Sequence, residues 1–535
     1  METRLSAVFR SGALAALAAL TFVAASPFAA TASQKTFNFV VASHSSENFR
    51  ANAEVAARLK PYGRVQVNVS TLPDKSWYTI PEGGSSWHEY AAYNPTFFKF
   101  FPHPKVEPFI PPDVVAANRK LLREKAAVVR ELGLGASFWA YGVNFLPEAF
   151  FEKYPQLRGP RVDHPRRGTK EEFSLCVDLE ENRDMYRWSV SELKKNVPEL
   201  EMILFKTNDA GGGLCWAEAQ YSGPNGPRHC MHRNVGERLR DYCTALHQGA
   251  KDGGGDVIVR IADSNFWRNE DNVLVHYLPE NTFYSSKDPG SMGISWGSQY
   301  PVRGLVNPLA VISAMERYSS PRIERVDFFC RASYDRSTAT IEELNKVIDI
   351  MEDCIAEPSR GLSEHLAKLR KLSVRWGGEA NADRVFEAFF YMDQAFSLKD
   401  AVAPHYRTQY AGVSMRHITR PLIIKPELLT PGQESYFLPH VFNPRIEEAR
   451  MDYADSHGGR MQGTGSWNDG GLRRALGQAL RAASLLESVQ DAPERQWLHG
   501  QATALRLWAG FVRSTHNFYH AQLIRDKYKD ILEGP

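Results

Sequence analysis

The sequence has little cysteine and no surplus of charge of either sign. Its 535 residues include six cysteines, and 64 basic residues nearly balance 62 acidic ones. Six cysteines are too few for a disulfide scaffold in a chain of this length. A near-neutral balance argues against a nucleic-acid-binding protein, which usually shows a clustered basic surface, so we expect no nucleic-acid partner. No G-x-G-x-x-G or P-loop motif follows the first predicted strand, which argues against a nucleotide cofactor.

The N-terminal segment has the pattern of a secretory signal peptide. Arg4 and Arg10 supply positive charge, residues 13–25 form a short apolar run, and Ala30-Thr31-Ala32 matches a cleavage site. The apolar run is too short for a stable membrane-spanning helix, and no later run is longer. We therefore predict a signal peptide at residues 1–32. The mature chain is expected to be exported, periplasmic or extracellular, and free of the membrane.

Strand-like and helix-like segments then alternate through residues 33–336. The predicted strands are 36–43, 64–69, 135–141, 201–207, 256–262, 282–286 and 325–330, with an eighth among 291–300. This alternation predicts a parallel sheet with helical crossovers. The loops after strands are long and the turns before them short and glycine-rich, which favours an α/β fold of the (β/α)₈ TIM-like barrel type. Helical periodicity dominates residues 337–535, which we interpret as a mainly helical C-terminal region.

Carboxylates follow several of these strands, where a barrel carries its catalytic groups. Asp209 follows the fourth strand and precedes three glycines, Asp263 follows the fifth, and Asp288 follows the sixth. Glycosidic bond cleavage uses two carboxyl groups, one to protonate the leaving oxygen and one to attack or to activate water. The sequence predicts Asp209 as the general acid and Asp263 or Asp288 as the second carboxylate. The alternative for each Asp is a turn or helix cap.

Aromatic and basic side chains cluster at the same strand ends. Flat rings stack on the apolar faces of sugars, and basic groups bind acidic sugars. The predicted substrate-binding residues are Asn208, Lys206, Trp139, Tyr141, Trp216, Glu218, Trp267, Trp296 and Arg331. Packing under long loops and salt bridges to neighbouring carboxylates are the alternatives.

Two of the cysteines flank one loop rich in glycine and proline. We predict a disulfide between Cys215 and Cys230; the alternative is that both are small buried apolar residues. No CxxC spacing occurs, and His229-Cys230-Met231-His232 alone hints at metal. We therefore expect no metal and no cofactor.

One stretch carries a family resemblance. Ser174-Leu-Cys-Val-Asp-Leu-Glu-Glu-Asn182, the helix at 184–196 and the strand running into Asn208-Asp209 resemble the hexosaminidase-like and α-glucuronidase-like barrel glycosidases. The resemblance covers roughly residues 170–230 and the layout of a barrel followed by helices. It implies Asp209 as the acid and Asn208 as a substrate-orienting neighbour. The Asn-Asp pair departs from the Asp-Glu pair of the hexosaminidases and from the Glu of the glucuronidases.

The sequence thus predicts an exported glycoside hydrolase that cleaves an oligo- or polysaccharide, including one with acidic sugars. Two other functions remain open. One is a carbohydrate-binding barrel without catalysis, and the other is a polysaccharide lyase acting on uronic-acid glycans. The sequence does not indicate an oligomeric state.

Overall fold

The computed structural model describes residues 35–40, 45–72, 94–165, 170–209, 211–262, 266–296, 302, 304–330, 338–402, 428, 430–431 and 464–527. Residues 34–535 form one compact unit. Among the described helices, none is both long and apolar enough to cross a membrane.

An eight-stranded parallel sheet is the centre of the fold. Its strands are β1 (Lys35–Val40), β2 (Gly63–Asn68), β3 (Gly135–Tyr141), β7 (Leu200–Lys206), β8 (Ile258–Ile261), β9 (Thr282–Tyr284), β10 (Ser291–Trp296) and β11 (Arg325–Cys330). They pair in the order β10-β11-β1-β2-β3-β7-β8-β9. All seven predicted strands are present, and β10 is the eighth, within the predicted window. The α/β TIM-like barrel is confirmed.

A side-chain contact across the sheet shows that it curls. Arg260 on β8 and Asp327 on β11 form an ion pair at 2.6 Å, although five strand spacings separate them in the sheet. In a flat sheet that separation is about 24 Å. The Ser137 hydroxyl on β3 also donates to Asn38 on β1, 2.7 Å away. Both contacts require that these side chains face a common interior, so the sheet curls around a polar lumen.

The ring of strands is open at one place in the part of the chain that the structure describes. No ladder joins β9 to β10, and only residues 285–290 connect them. Paired parallel neighbours need a crossover of about a dozen residues or more, and this link is too short to form one. The barrel therefore has a seam between its sixth and seventh strands.

Helices cover the outside of the sheet and continue beyond it. They are α1 (Ser46–Ala57), α2 (Pro112–Glu131), α3 (Glu148–Lys153), α4 (Glu180–Asn196), α5 (Val235–Asp252), α6 (Arg268–Leu274), α7 (Pro308–Tyr318), α8 (Thr338–Ala356), α9 (Gly361–Gly377), α10 (Ala382–Val402), α11 (Thr464–Glu487) and α12 (Arg495–Lys527). Local signals set several of their ends. Pro112 begins α2, and Asn234 with Glu237 forms a capping box at the start of α5.

The helix α8 belongs to the barrel rather than to the helical region behind it. It packs on α1, and Arg58 at the end of α1 donates to Asp349 at 2.7 Å and to Glu352 at 2.6 Å. The boundary predicted between residues 336 and 337 stays a prediction, and α8, which follows it, packs on the barrel helix α1. The later helices α10, α11 and α12 pack mainly on one another, which agrees with a helical C-terminal region.

A small second sheet lies in the loop after β3. It consists of β4 (Phe145–Leu146), β5 (Arg158–Arg161) and β6 (Phe173–Leu175), paired antiparallel in the order β4-β6-β5. This sheet carries the segments that pack against the loop after β7.

Candidate active site

Strand register brings three predicted site residues to the C-terminal rim of the barrel. Ser137 faces the lumen, and side chains alternate along a strand, so Trp139 and Tyr141 face the same way. Tyr141 pairs in register with Lys206 at the end of β7. The rings of Trp139 and Tyr141 lie near each other, with centroids 6.2 Å apart. An aromatic pair and an ammonium group therefore share the rim.

Asp209 joins this group from the turn after β7. Its Oδ2 lies 2.6 Å from the Lys206 ammonium, and its Oδ1 accepts a hydrogen bond from the Tyr221 hydroxyl at 3.2 Å. Its side chain is 14% exposed. Asn208 beside it adopts a positive φ of 57°, and its side-chain oxygen accepts the Leu214 N–H at 3.3 Å. Asn208 thus stabilises the turn that presents Asp209.

The contacts of Asp209 define what it offers to a ligand. An ionised carboxylate is purely an acceptor of hydrogen bonds. Both oxygens of Asp209 already face donors, one charged and one neutral. This arrangement suits a nucleophile, a base or an acceptor of sugar hydroxyls. The predicted general-acid role of Asp209 stays a prediction.

The glycine run after Asp209 packs against another loop. Gly213 N–H donates to the Val143 carbonyl at 2.9 Å, and the Gly211 carbonyl accepts the Phe145 N–H at 2.8 Å. A Cβ on Gly213 would lie 2.4 Å from the Val162 side chain. Close approach of two backbones explains these glycines, as the sequence allowed.

Tyr221 and His164 belong to the site but were not predicted. Their rings stack with centroids 4.3 Å apart, and Tyr221 bonds Asp209. Tyr221 lies in the loop of residues 215–230, and His164 follows β5. Only tertiary packing brings them together. The sequence Tyr221-Ser-Gly-Pro-Asn-Gly226 is typical of a turn, but a turn sequence does not indicate the direction of the Tyr221 ring.

Three other predicted binding residues have different contacts. The Trp216 indole donates to the Pro227 carbonyl at 3.1 Å and packs on a group of cysteines. The Glu218 backbone N–H donates to the Glu270 carboxylate at 2.8 Å, and Trp267 is 60% exposed. Burial raises the pKa of Glu270. The binding roles of Trp216, Glu218 and Trp267 stay predictions.

Asp288 lies at the opposite edge of the sheet. Its two oxygens accept hydrogen bonds from Arg325, the first residue of β11, at 2.9 and 3.0 Å. It also accepts the Gly290 N–H at 3.0 Å, just before β10 begins. The starts of parallel strands share one edge and their ends the other. Asp288 therefore closes a structural ion pair at the N-terminal edge, and this position does not fit a second catalytic carboxylate.

Some predicted features lie outside the described residues. These are the signal peptide at residues 1–32, Asp263, Arg331 and the side chain of Trp296, whose backbone ends β10.

The predicted disulfide between Cys215 and Cys230 is not formed in the structure. Both are free, buried thiols, and the thiol of Cys176 belongs to the same cluster.

Comparison with known proteins finds glycoside hydrolases among the solved structures that resemble this chain. No protein-family model matches the sequence, and no curated protein matches it. A GH138 enzyme targeting pectin rhamnogalacturonan II aligns over 90% of this chain and 57% of its own, with 9% identity and a TM-score of 0.45. The GH36 α-galactosidase AgaA from Geobacillus stearothermophilus aligns over 60% of this chain and 42% of its own, with 12% identity and a TM-score of 0.34. The pneumococcal virulence factor StrH aligns over 64% and 91%, with 11% identity and a TM-score of 0.34.

The chain thus spans about half the length of the first two of these structures. At identities near 10%, the similarity is one of backbone arrangement.

Proposed function

We propose that this chain is a glycoside hydrolase whose reaction takes place at the C-terminal rim of the barrel. One observation carries the proposal: the Asp209 carboxylate is held there by Lys206 and Tyr221, beside Trp139 and Tyr141. A fixed carboxylate next to aromatic rings is what sugar chemistry uses, since rings stack on pyranose faces while the carboxylate acts at the anomeric carbon or a hydroxyl.

Asp209 acts as the nucleophile or base in this proposal. Lys206 and Tyr221 orient its two oxygens, and a carboxylate fixed in this way loses little freedom when the sugar arrives. The proton donor is then a different group. Asp263 is the proposed partner, because it follows β8, the strand next to β7, and the ends of neighbouring parallel strands meet at one edge.

The proposed substrate is an oligo- or polysaccharide met outside the cytoplasm. Export follows from the predicted signal peptide at residues 1–32, and acidic sugars are among the proposed substrates.

The test is a screen of the purified mature chain on aryl glycosides and uronic-acid oligosaccharides, followed by Asp209→Asn on whichever substrate is turned over. Turnover should fall by a factor on the order of 10² or more, with folding retained. Asp288→Asn is the matched control, because its carboxyl lies at the other edge of the sheet. It should keep turnover per folded molecule.

The same variants separate the possible roles of Asp209. If Asp209 is the nucleophile, its substitution should lower turnover even for substrates with good leaving groups. Azide should then restore turnover in Asp209→Gly, with formation of a glycosyl azide. If Asp209 is the general acid, its substitution should lower turnover only slightly for substrates with good leaving groups. Near-normal turnover of Asp209→Asn on a poor-leaving-group substrate would overturn the assignment. Unsaturated, ultraviolet-absorbing products would indicate the lyase, and saturable binding without products would indicate the non-catalytic barrel.

A further inference from the structure

Three buried thiols meet beside the loop that carries Tyr221. Cys176, Cys215 and Cys230 are each at most 1% exposed and form one cluster. Their sulfur atoms lie within 4.8 Å of one another, and the Cys176 and Cys230 sulfurs are 3.9 Å apart. None is bonded to another. They come from three places in the chain: the end of β6 and the two ends of the 215–230 loop.

An imidazole supplies a fourth donor to this cluster. The His229 Nε2 lies 3.4 Å from the Cys176 sulfur. With Zn–S bonds of about 2.3 Å and Zn–N bonds of about 2.0–2.1 Å, tetrahedral zinc places two thiolate sulfurs about 3.8 Å apart and a sulfur and a nitrogen about 3.6 Å apart. Both observed separations lie within a few tenths of an ångström of these values.

We propose that Cys176, Cys215, His229 and Cys230 bind a tetrahedral zinc ion. Soft thiolates with one imidazole select zinc over magnesium or calcium, which prefer oxygen. Binding replaces the thiol protons, which pass to solvent, while His229 binds through neutral Nε2. Four protein ligands leave no open position, so the site is structural rather than catalytic.

The surroundings of the cluster fit this charge and coordination. Three thiolates and Zn²⁺ carry a net charge of −1. The buried Arg238 guanidinium donates to the Cys230 carbonyl and, at 2.9 Å, to Asp178. The Asp178 carboxylate lies 3.9 Å from the Cys176 sulfur, but Arg233 and Arg238 occupy its oxygens. Asp178 therefore supports the site from outside the ligand set.

A bound ion would tie the loop to the small sheet. Cys215 and Cys230 hold the two ends of the loop, and Cys176 directly follows β6. Trp216 and Leu179 pack against the cluster. The zinc proposal is independent of the proposed hydrolase activity, since none of its four ligands is a residue of the proposed reaction site at Asp209.

The test uses the mature chain purified without chelator or thiol reductant. Elemental analysis should find about one zinc per chain. Replacement by Co²⁺ should give thiolate-to-cobalt charge transfer in the near ultraviolet and the visible bands of tetrahedral cobalt. Removal of the metal by a strong chelator should lower the unfolding temperature.

Two exposed histidines provide a matched pair of variants. His229→Ala should weaken zinc binding by more than about tenfold in competition with a chromogenic chelator, since even loss of a ligand's hydrogen-bond partner has roughly that effect. His232→Ala, three residues away in the same loop, should keep the affinity of the parent. Both side chains are exposed, so neither change should prevent folding.

Thiol counting distinguishes zinc from a disulfide. After unfolding with chelator but without reductant, all six cysteines should react with an alkylating agent. Zinc-free protein with an intact disulfide among Cys176, Cys215 and Cys230 would overturn the proposal. So would equal zinc affinity in the two histidine variants.

Discussion

The ion pair in the barrel lumen should be one of the most sensitive points of the fold. Asp327 accepts two hydrogen bonds from Arg260 Nη1, both at 2.6 Å, and one from Asn38 at 3.1 Å. The two charged side chains are only 1% and 6% exposed. Asp327→Asn keeps the size of the side chain but leaves the Arg260 charge buried without a counter-ion.

The magnitude follows from these contacts. Hydrogen bonds to charged groups contribute about 1.5–3 kcal/mol each, and breaking a buried ion pair by changing one partner costs about 3–5 kcal/mol. We therefore expect Asp327→Asn to lower the free energy of unfolding by about 3–5 kcal/mol in equilibrium urea denaturation followed by fluorescence and far-ultraviolet circular dichroism.

Two comparisons make the result decisive. Asp252→Asn breaks the surface pair with Arg187, whose side chains are 33% and 44% exposed, and should cost less than about 1 kcal/mol. Replacing both lumen partners, as Arg260→Met with Asp327→Leu, should recover much of the stability lost in the single variant. If Asp327→Asn is no more costly than Asp252→Asn, Arg260 and Asp327 do not form a desolvated ion pair, and the reasoning about its energetic cost is wrong.

Three further predictions concern the loop and the packing around the barrel. Gly213→Ala should destabilise the chain by about 1–3 kcal/mol, since its Cβ would lie 2.4 Å from Val162, and Val162→Ala should relieve the loss in urea denaturation. Tyr221→Phe should lower kcat up to about tenfold with the unfolding temperature unchanged, because it removes one hydrogen bond to Asp209 from a ring that is 48% exposed. Burial lowers the pKa values of Lys99 and Lys125 to about 7, so folding releases both protons between about pH 7 and pH 10.5. Each lysine should make the free energy of unfolding rise with pH there by up to about 1.4 kcal/mol per unit, and Lys125→Met should remove the contribution of Lys125.

The strands could be predicted from the sequence because they carry their own signal. Runs such as Glu201-Met-Ile-Leu-Phe-Lys-Thr207 are apolar and short, and the structure places β7 at Leu200–Lys206. The rim followed from the same reasoning, since Trp139, Tyr141 and Lys206 end adjacent strands. Tyr141 and Lys206 are the last residues of the neighbouring strands β3 and β7, and the register of these two strands pairs them.

The role of Asp288 was mispredicted because of one assumption. A residue after a strand was taken to lie at the strand's C-terminal edge. Asp288 stands four residues after β9 but only three before β10, so the chain has already returned to the N-terminal edge. The spacing of 285–290 was present in the sequence, and weighing it against the length of a helical crossover would have indicated both the seam and the position of Asp288.

Sites whose residues come from distant segments of the chain could not be predicted from the sequence. The four proposed zinc ligands extend from Cys176 to Cys230, with 38 residues between the first two. No short sequence motif therefore contains all four of them. The expectation of no metal rested on the absence of CxxC spacing, which reports only local sites. Similarly, His164 meets Tyr221 because the small sheet and the 215–230 loop pack together.

The proposed metal and the proposed active site nevertheless share one structural element. The loop between Cys215 and Cys230 is anchored at both ends in the thiol cluster, and it delivers Tyr221 to Asp209. Its middle is held separately, because the Ser222 hydroxyl donates to the Arg161 carbonyl at 2.6 Å and the Asn225 oxygen accepts the Arg161 N–H at 2.6 Å. Loss of metal would free the ends of the loop but leave these central bonds. The metal thus fixes where the loop starts and ends, whereas β5 fixes the position from which Tyr221 reaches the carboxylate.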